Sequence, residues 1–177
     1  MNKKYILIFL LSFFAGILFF AFYNEMIIFR WPYYKYEDVH LKKAQTQFVT
    51  LYWWQNNKWN TEKVEVLRFD DIPNTSYNIL ISWLNAVEEE KATGKKISLE
   101  SVILDSTQNE LYVSFTRNPF DKQSSTYNKW MFIEGILKTL RENNIKVNGV
   151  HFLAHHQPIQ DFHLDFSKTW PIEGMTN

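Results

Sequence analysis

The sequence predicts an α+β fold: two helices on one face of an antiparallel or mixed sheet, in a ββαββαβ-like order, preceded by one N-terminal transmembrane helix. Three observations carry that reading. Tyr5 to Tyr23 is a run of 19 residues without a charge. Two later segments, around Leu80 to Val87 and Ile133 to Leu140, repeat apolar residues at the helical period. Around them, short runs rich in β-branched and aromatic residues alternate apolar with polar positions, as half-buried strands do.

The chain has 177 residues, room for one folded domain with appendages. Lys plus Arg and Asp plus Glu are 19 each, so no net positive field exists to hold a polyanion. Nucleic acid is therefore not expected as a partner. The absence of cysteine excludes disulfides, thiolate zinc sites, a cysteine nucleophile and an acylated lipobox cysteine. Aromatic residues make up 18% of the chain, enough for a substantial core.

At about 1.5 Å per residue the uncharged run reaches roughly 28 Å, close to the hydrocarbon thickness of a bilayer. We read residues 1–23 as a retained membrane anchor whose apolar helix includes Tyr5, Phe14, Gly16 and Tyr23. Signal cleavage after Gly16 or Ala21 would place Phe14 or Phe19 where small residues are required. Lys3 and Lys4 favour a cytoplasmic amino terminus with the folded domain outside. Residues 24–46 form a juxtamembrane linker. Its Trp31, Tyr33, Tyr34 and Tyr36 suit either an interfacial belt or packing on the domain.

Residues 47–177 hold the domain. Gln47 to Trp54 and Trp59 to Phe69 read as a hairpin turning at Asn56 and Asn57. Pro73, Asn74 and Thr75 offer a helix start, and Leu80, Trp83, Leu84 and Val87 then make one apolar face. The acidic run Glu88 to Glu90 reads as a solvated end, with a stop near Gly94. Ser101 to Asp105 and Leu111 to Phe115 make a second hairpin. Ser124, Ser125 or Thr126 caps a helix carrying Ile133, Ile136, Leu137 and Leu140, which ends at Asn143 and Asn144. Ile145 to Ala154 and Phe162 to Phe166 read as closing strands.

The series VTLYWW, the amphipathic helix over Asn78 to Val87, LESVILDSTQNELYVSF, the helix ending ILKTLRENN and IKVNGVHFLA resembles the GerMN domain of sporulation and spore-germination proteins. The resemblance spans about Gln47 to His156 and rests on pattern and order. It implies a non-enzymatic envelope domain, similar to ring-building modules of extracytoplasmic complexes, and supplies no catalytic residues. His155 and His156 stand where the family usually shows an acidic residue and glycine.

Chemistry-bearing residues are sparse. His151, His155, His156, His163, Asp161 and Asp165 are the only metal-like cluster, with His151, His156, Asp161 and His163 as the candidate ligands. On a strand His151 and His155 would stand about 13 Å apart. A hairpin turning at Gln157 to Gln160 would instead set His156 opposite Asp161. Asp70 and Asp71 adjoin a strand end, yet adjacent acids point in different directions. Nucleophile-elbow, phosphate-loop and dinucleotide fingerprints are missing. Of the neighbouring Trp53 and Trp54, one must leave the core face and offer a contact. The expected function is a membrane-anchored, extracytoplasmic interaction or assembly module, without enzymatic activity or cofactor. It would be partnered by the membrane and by an envelope protein or a second copy. The alternative is an envelope metal-dependent hydrolase using the histidine hairpin.

Overall fold

In the computed structural model, Asn56 and Asn57 adopt left-handed angles (φ 53° and 58°) and close a two-residue turn between strands β1 (Gln45–Gln55) and β2 (Lys58–Arg68). Asparagine tolerates this backbone region better than most residues, and the turn's twist matches that of the strands. The structure describes residues 45–90, 96–120 and 124–174, with Lys4, Ser12, Phe13, Phe14, Gly16, Ile17 and Phe20. The chain divides into two units, Met1–His40 and Leu41–Asn177. In the first, the seven described residues are helical and exposed. The rest of the expected anchor, Tyr5 and Tyr23 included, and the linker through residue 44 lie outside the described residues. Among the described residues no helix is long and apolar enough to cross a membrane.

The second unit continues with α1 (Ile72–Glu90), β3 (Leu99–Asp105), β4 (Glu110–Phe115), α2 (Thr126–Glu142), β5 (Gly149–Ala154), β6 (Gln157–Pro158) and β7 (Trp170–Pro171). It is an α+β arrangement. Strand β4 lies between antiparallel β3 and parallel β5, with α2 as the crossover that a parallel pair requires. The far side of β5 pairs antiparallel with β6 at one end and β7 at the other. Register sets Leu99, Val102, Leu104, Leu111, Val113, Phe115, Val150 and Phe152 on one face. These residues share one core with Ile79, Leu80, Trp83 and Leu84 of α1 and Ile133, Ile136, Leu137 and Leu140 of α2. Both helices therefore cover that face, while the opposite one carries Ile103, Asp105, Glu110, Tyr112 and His151.

The first hairpin does not join this sheet, contrary to the expectation of a single sheet. Pairing Gln55 with Lys58 turns the backbone groups of Thr50 and Tyr52 toward the free edge of β1. There α2 takes the place of a strand. Asn143 Oδ1 accepts from Thr50 N (3.0 Å) and its Nδ2 donates to Thr50 O (2.7 Å). One helical turn earlier, Thr139 Oγ1 accepts from Tyr52 N (3.0 Å) and donates to Tyr52 O (3.3 Å). The edge is thus satisfied by two side chains at i and i+4.

Other boundaries differ from expectation for local reasons. Helix α1 starts at Ile72, earlier than the Pro73 to Thr75 signal suggested, because Asp71 Oδ1 accepts from Asn74 N (2.9 Å) and caps it. Ser125 is the residue that caps α2, accepting from Asn128 N (3.2 Å). Glu88 is not a solvated end, since its carboxylate accepts from Ile97 N. Gly94 lies outside the described residues. Ile145 and Val147 are buried in a loop, and the strand begins only at Gly149. Phe162 to Phe166 is no strand: Asp161 Oδ1 accepts from His163 N (3.0 Å) and Leu164 N (3.1 Å), curling the chain and leaving Phe162 95% exposed.

Gly149 is where the carboxy-terminal segment closes on the sheet. A Cβ there would meet Trp170 O at 2.7 Å and Thr169 Cγ2 at 2.4 Å. Gly149→Ala should therefore destabilise the domain by about 1–3 kcal/mol, because relief requires moving the backbone of β7. Denaturant unfolding measures this, and an unchanged midpoint would show that β7 is not held against Gly149.

Candidate functional site

Alternation along β1 turns Val49, Leu51 and Trp53 into the core and Phe48, Tyr52 and Trp54 to the other side. Trp53 is 8% exposed, whereas Trp54 is half-buried. Trp54 meets Trp59, its partner across the hairpin, edge-on at 5.5 Å, and Tyr127 of α2 at 6.4 Å. The Lys138 ammonium lies 5.0 Å from the Tyr52 ring centre and 5.8 Å from that of Trp59, stiffening this aromatic face.

Both tryptophans border an open cleft of about 630 Å³ at the tip of the hairpin. Trp83 and Val87 of α1 contribute to its lining, as do Met131 and Phe132 of α2. Gln55, Asn56 and Asn57 from the turn and Asn128 from the first turn of α2 add amide groups. Pro119 and Phe120 complete the wall. A chain of ring contacts runs inward from Trp83 to Phe132 (4.9 Å), Phe120 (5.5 Å) and Phe166 (5.4 Å). The cleft therefore rests on the core. The Trp53 Nε1–H is buried and has no acceptor among the described residues.

Among the described lining residues one carries a formal charge. Lys129, 3% exposed, pairs with Asp161, whose side chain is 5% exposed, and their contact ties α2 to the loop before Asp165. Burial alone would raise the Asp161 pKa. The Lys129 ammonium and the amides of His163 and Leu164 outweigh burial and hold the carboxyl below its ordinary range. Among the described residues the cleft thus presents no net charge.

The histidines are not brought together. The chain turns at His155 and His156 (φ 50° and 60°), not at Gln157 to Gln160, and pairs Ala154 with Gln157. His151 contacts Glu110 (2.8 Å) and Thr169 (2.9 Å) and stacks on Tyr112 at 4.2 Å. His156 reaches Glu100 at 3.4 Å, and its backbone N–H donates to Ser114 Oγ. Asp161 is committed to Lys129, not opposite His156, and His163 is exposed. Asp165 is held below the usual carboxylate range by the Ser167 hydroxyl and amide, despite slight desolvation. Among the described residues no three His, Cys, Asp or Glu side chains are placed to hold one ion. Asp71 caps a helix, and Asp70 is exposed beside it.

Sequence reasoning singled out Trp53 and Trp54 but missed Lys129, Asn128, Phe120 and Phe132. Lys129 carried a signal: with Ile133, Ile136, Leu137 and Leu140 it falls on the apolar stripe of α2, where a charge needs a buried partner. The loop from Pro119 to Ser124 carried none.

No family model matches the chain, and no curated protein matches it. A 2.5 Å crystal structure of a presumed lipoprotein from Clostridium perfringens is 16% identical, covers 72% of this chain and 89% of its own, and has a TM-score of 0.43. A likeness at that level transfers neither site nor function.

Proposed function

We propose that this chain is a membrane-anchored, extracytoplasmic, GerMN-like module of the cell envelope that works by binding, through the tryptophan-lined cleft at the hairpin tip, and not by catalysis. The cleft carries the reading. It combines aromatic faces, amide groups and a compensated charge on a wall braced by the core, as recognition sites do. The succession of two hairpins, each followed by a helix, and a final core strand supports the family resemblance. The 19-residue uncharged run of Tyr5 to Tyr23, with Phe13, Phe14, Ile17 and Phe20 exposed on helical backbone, supports the anchor.

Two measurements test it. The full chain should stay in the membrane pellet after alkaline washing, with its domain cleaved by protease added to spheroplasts. Deleting Met1 to Tyr23 should release a folded, soluble domain. Protection from external protease would overturn the topology. Cross-linking in the native membrane from a photoreactive residue at position 57, on the cleft rim, should give a discrete adduct that Trp54→Ala abolishes. An adduct indifferent to Trp54 would remove the cleft from the function.

A further inference from the structure

We propose that the cleft takes a neutral pyranose glycan, a proposal that rests on its being the binding site. Its volume of about 630 Å³ lies within the roughly 300–1,000 Å³ of small-ligand sites and admits more than one sugar ring. The choice of ligand follows from what each class would meet. A phosphate or nucleotide needs an uncompensated cation, and the one cation among the described lining residues, Lys129, is already held by Asp161. A lipid tail would strip water from the amides of Gln55, Asn56, Asn57 and Asn128, none of which has a side-chain hydrogen-bond partner among the described residues. An extended peptide gains its affinity by adding to a strand edge, and on β1 that edge is taken at Thr50 and Tyr52 by Asn143 and Thr139.

A neutral sugar fits all three conditions. Its C–H face covers an indole such as Trp54, and its hydroxyls both donate and accept, as primary amides do.

The test uses the full chain in lipid nanodiscs, since glycosidic detergents would compete. The probes are oligomers of N-acetylglucosamine and of glucose, read by calorimetry and by saturation transfer to sugar C–H protons. Saturable binding is expected, weakened about tenfold by Trp54→Ala. Asn128→Ala, at an exposed helix position, guards against misfolding of the Trp54 variant and should also weaken binding. No saturable binding of any probe, or binding unchanged in both variants, overturns the proposal. If the sugars fail while the Trp54-dependent adduct persists, the cleft remains a binding site and only the glycan assignment falls.

Discussion

Replacing Asp161 with Asn should cost the domain about 3–5 kcal/mol, the range for removing one partner of a buried ion pair. The substitution keeps an oxygen for the amides of His163 and Leu164, so what it removes is chiefly the charge opposite Lys129. That loss is a large part of the roughly 5–15 kcal/mol that holds a typical domain together. Adding Lys129→Met should recover most of it, because no buried charge then remains uncompensated. Additive losses in the double variant would mean that the pair is not coupled. The pH dependence has a definite sign. The folded-state pKa of Asp161 lies below the ordinary carboxylate value of about 3.9, so its contribution is complete above that value and disappears as pH falls through the folded one. Wild type and Asp161→Asn should differ most near neutrality and converge in strong acid. Denaturant unfolding at a series of pH values reads both.

The elements were legible where local chemistry and tertiary packing agree. Asn56 and Asn57 announce a hairpin because few other residues accept two successive left-handed positions, and the structure turns there. The apolar stripes of α1 and α2 announce their buried faces for the same reason. Legibility fails where a side chain substitutes for backbone. Nothing in Thr139 or Asn143 says that they complete the edge of β1, ninety residues earlier, and so hold the hairpin out of the main sheet. Alternation at Phe162 to Phe166 imitates a strand, yet Asp161 diverts the amides of His163 and Leu164 and a turn results. The histidines show the same limit, since proximity in sequence put them in one cluster while Glu110 and Glu100 separate them in space. Trp53 and Trp54 were visible as opposite faces of one strand. The cleft between them was not, because its other walls come from α1, α2 and the loop before α2.

Trp83→Ala should be as damaging as Asp161→Asn, at about 3–5 kcal/mol, and by a different route. The indole is 1% exposed, packs edge-on against Phe132 at 4.9 Å, and lies so close to α2 that a Cβ on Gly135 would sit 3.0 Å from its Cζ2. Removing it empties a space shared by α1, α2 and β1, three elements already fixed by other bonds and unable to close around the void. Its Nε1–H also donates to Tyr52 O at 2.7 Å. Trp83→Phe separates the two contributions, since Thr139 Oγ1 still donates to Tyr52 O at 3.3 Å and most of the ring volume remains. It should cost about 1 kcal/mol for the lost hydrogen bond, plus a smaller cavity term. Thr139→Val gives the complementary reading: it leaves Tyr52 N, half-buried on the β1 edge, without its acceptor, at about 1–3 kcal/mol. If Trp83→Phe proved as costly as Trp83→Ala, the bond to Tyr52 would be what holds the hairpin to the helices. If it is mild, as expected, packing volume holds them, and Trp83→Phe becomes the variant in which the cleft can be altered from beneath without unfolding the domain.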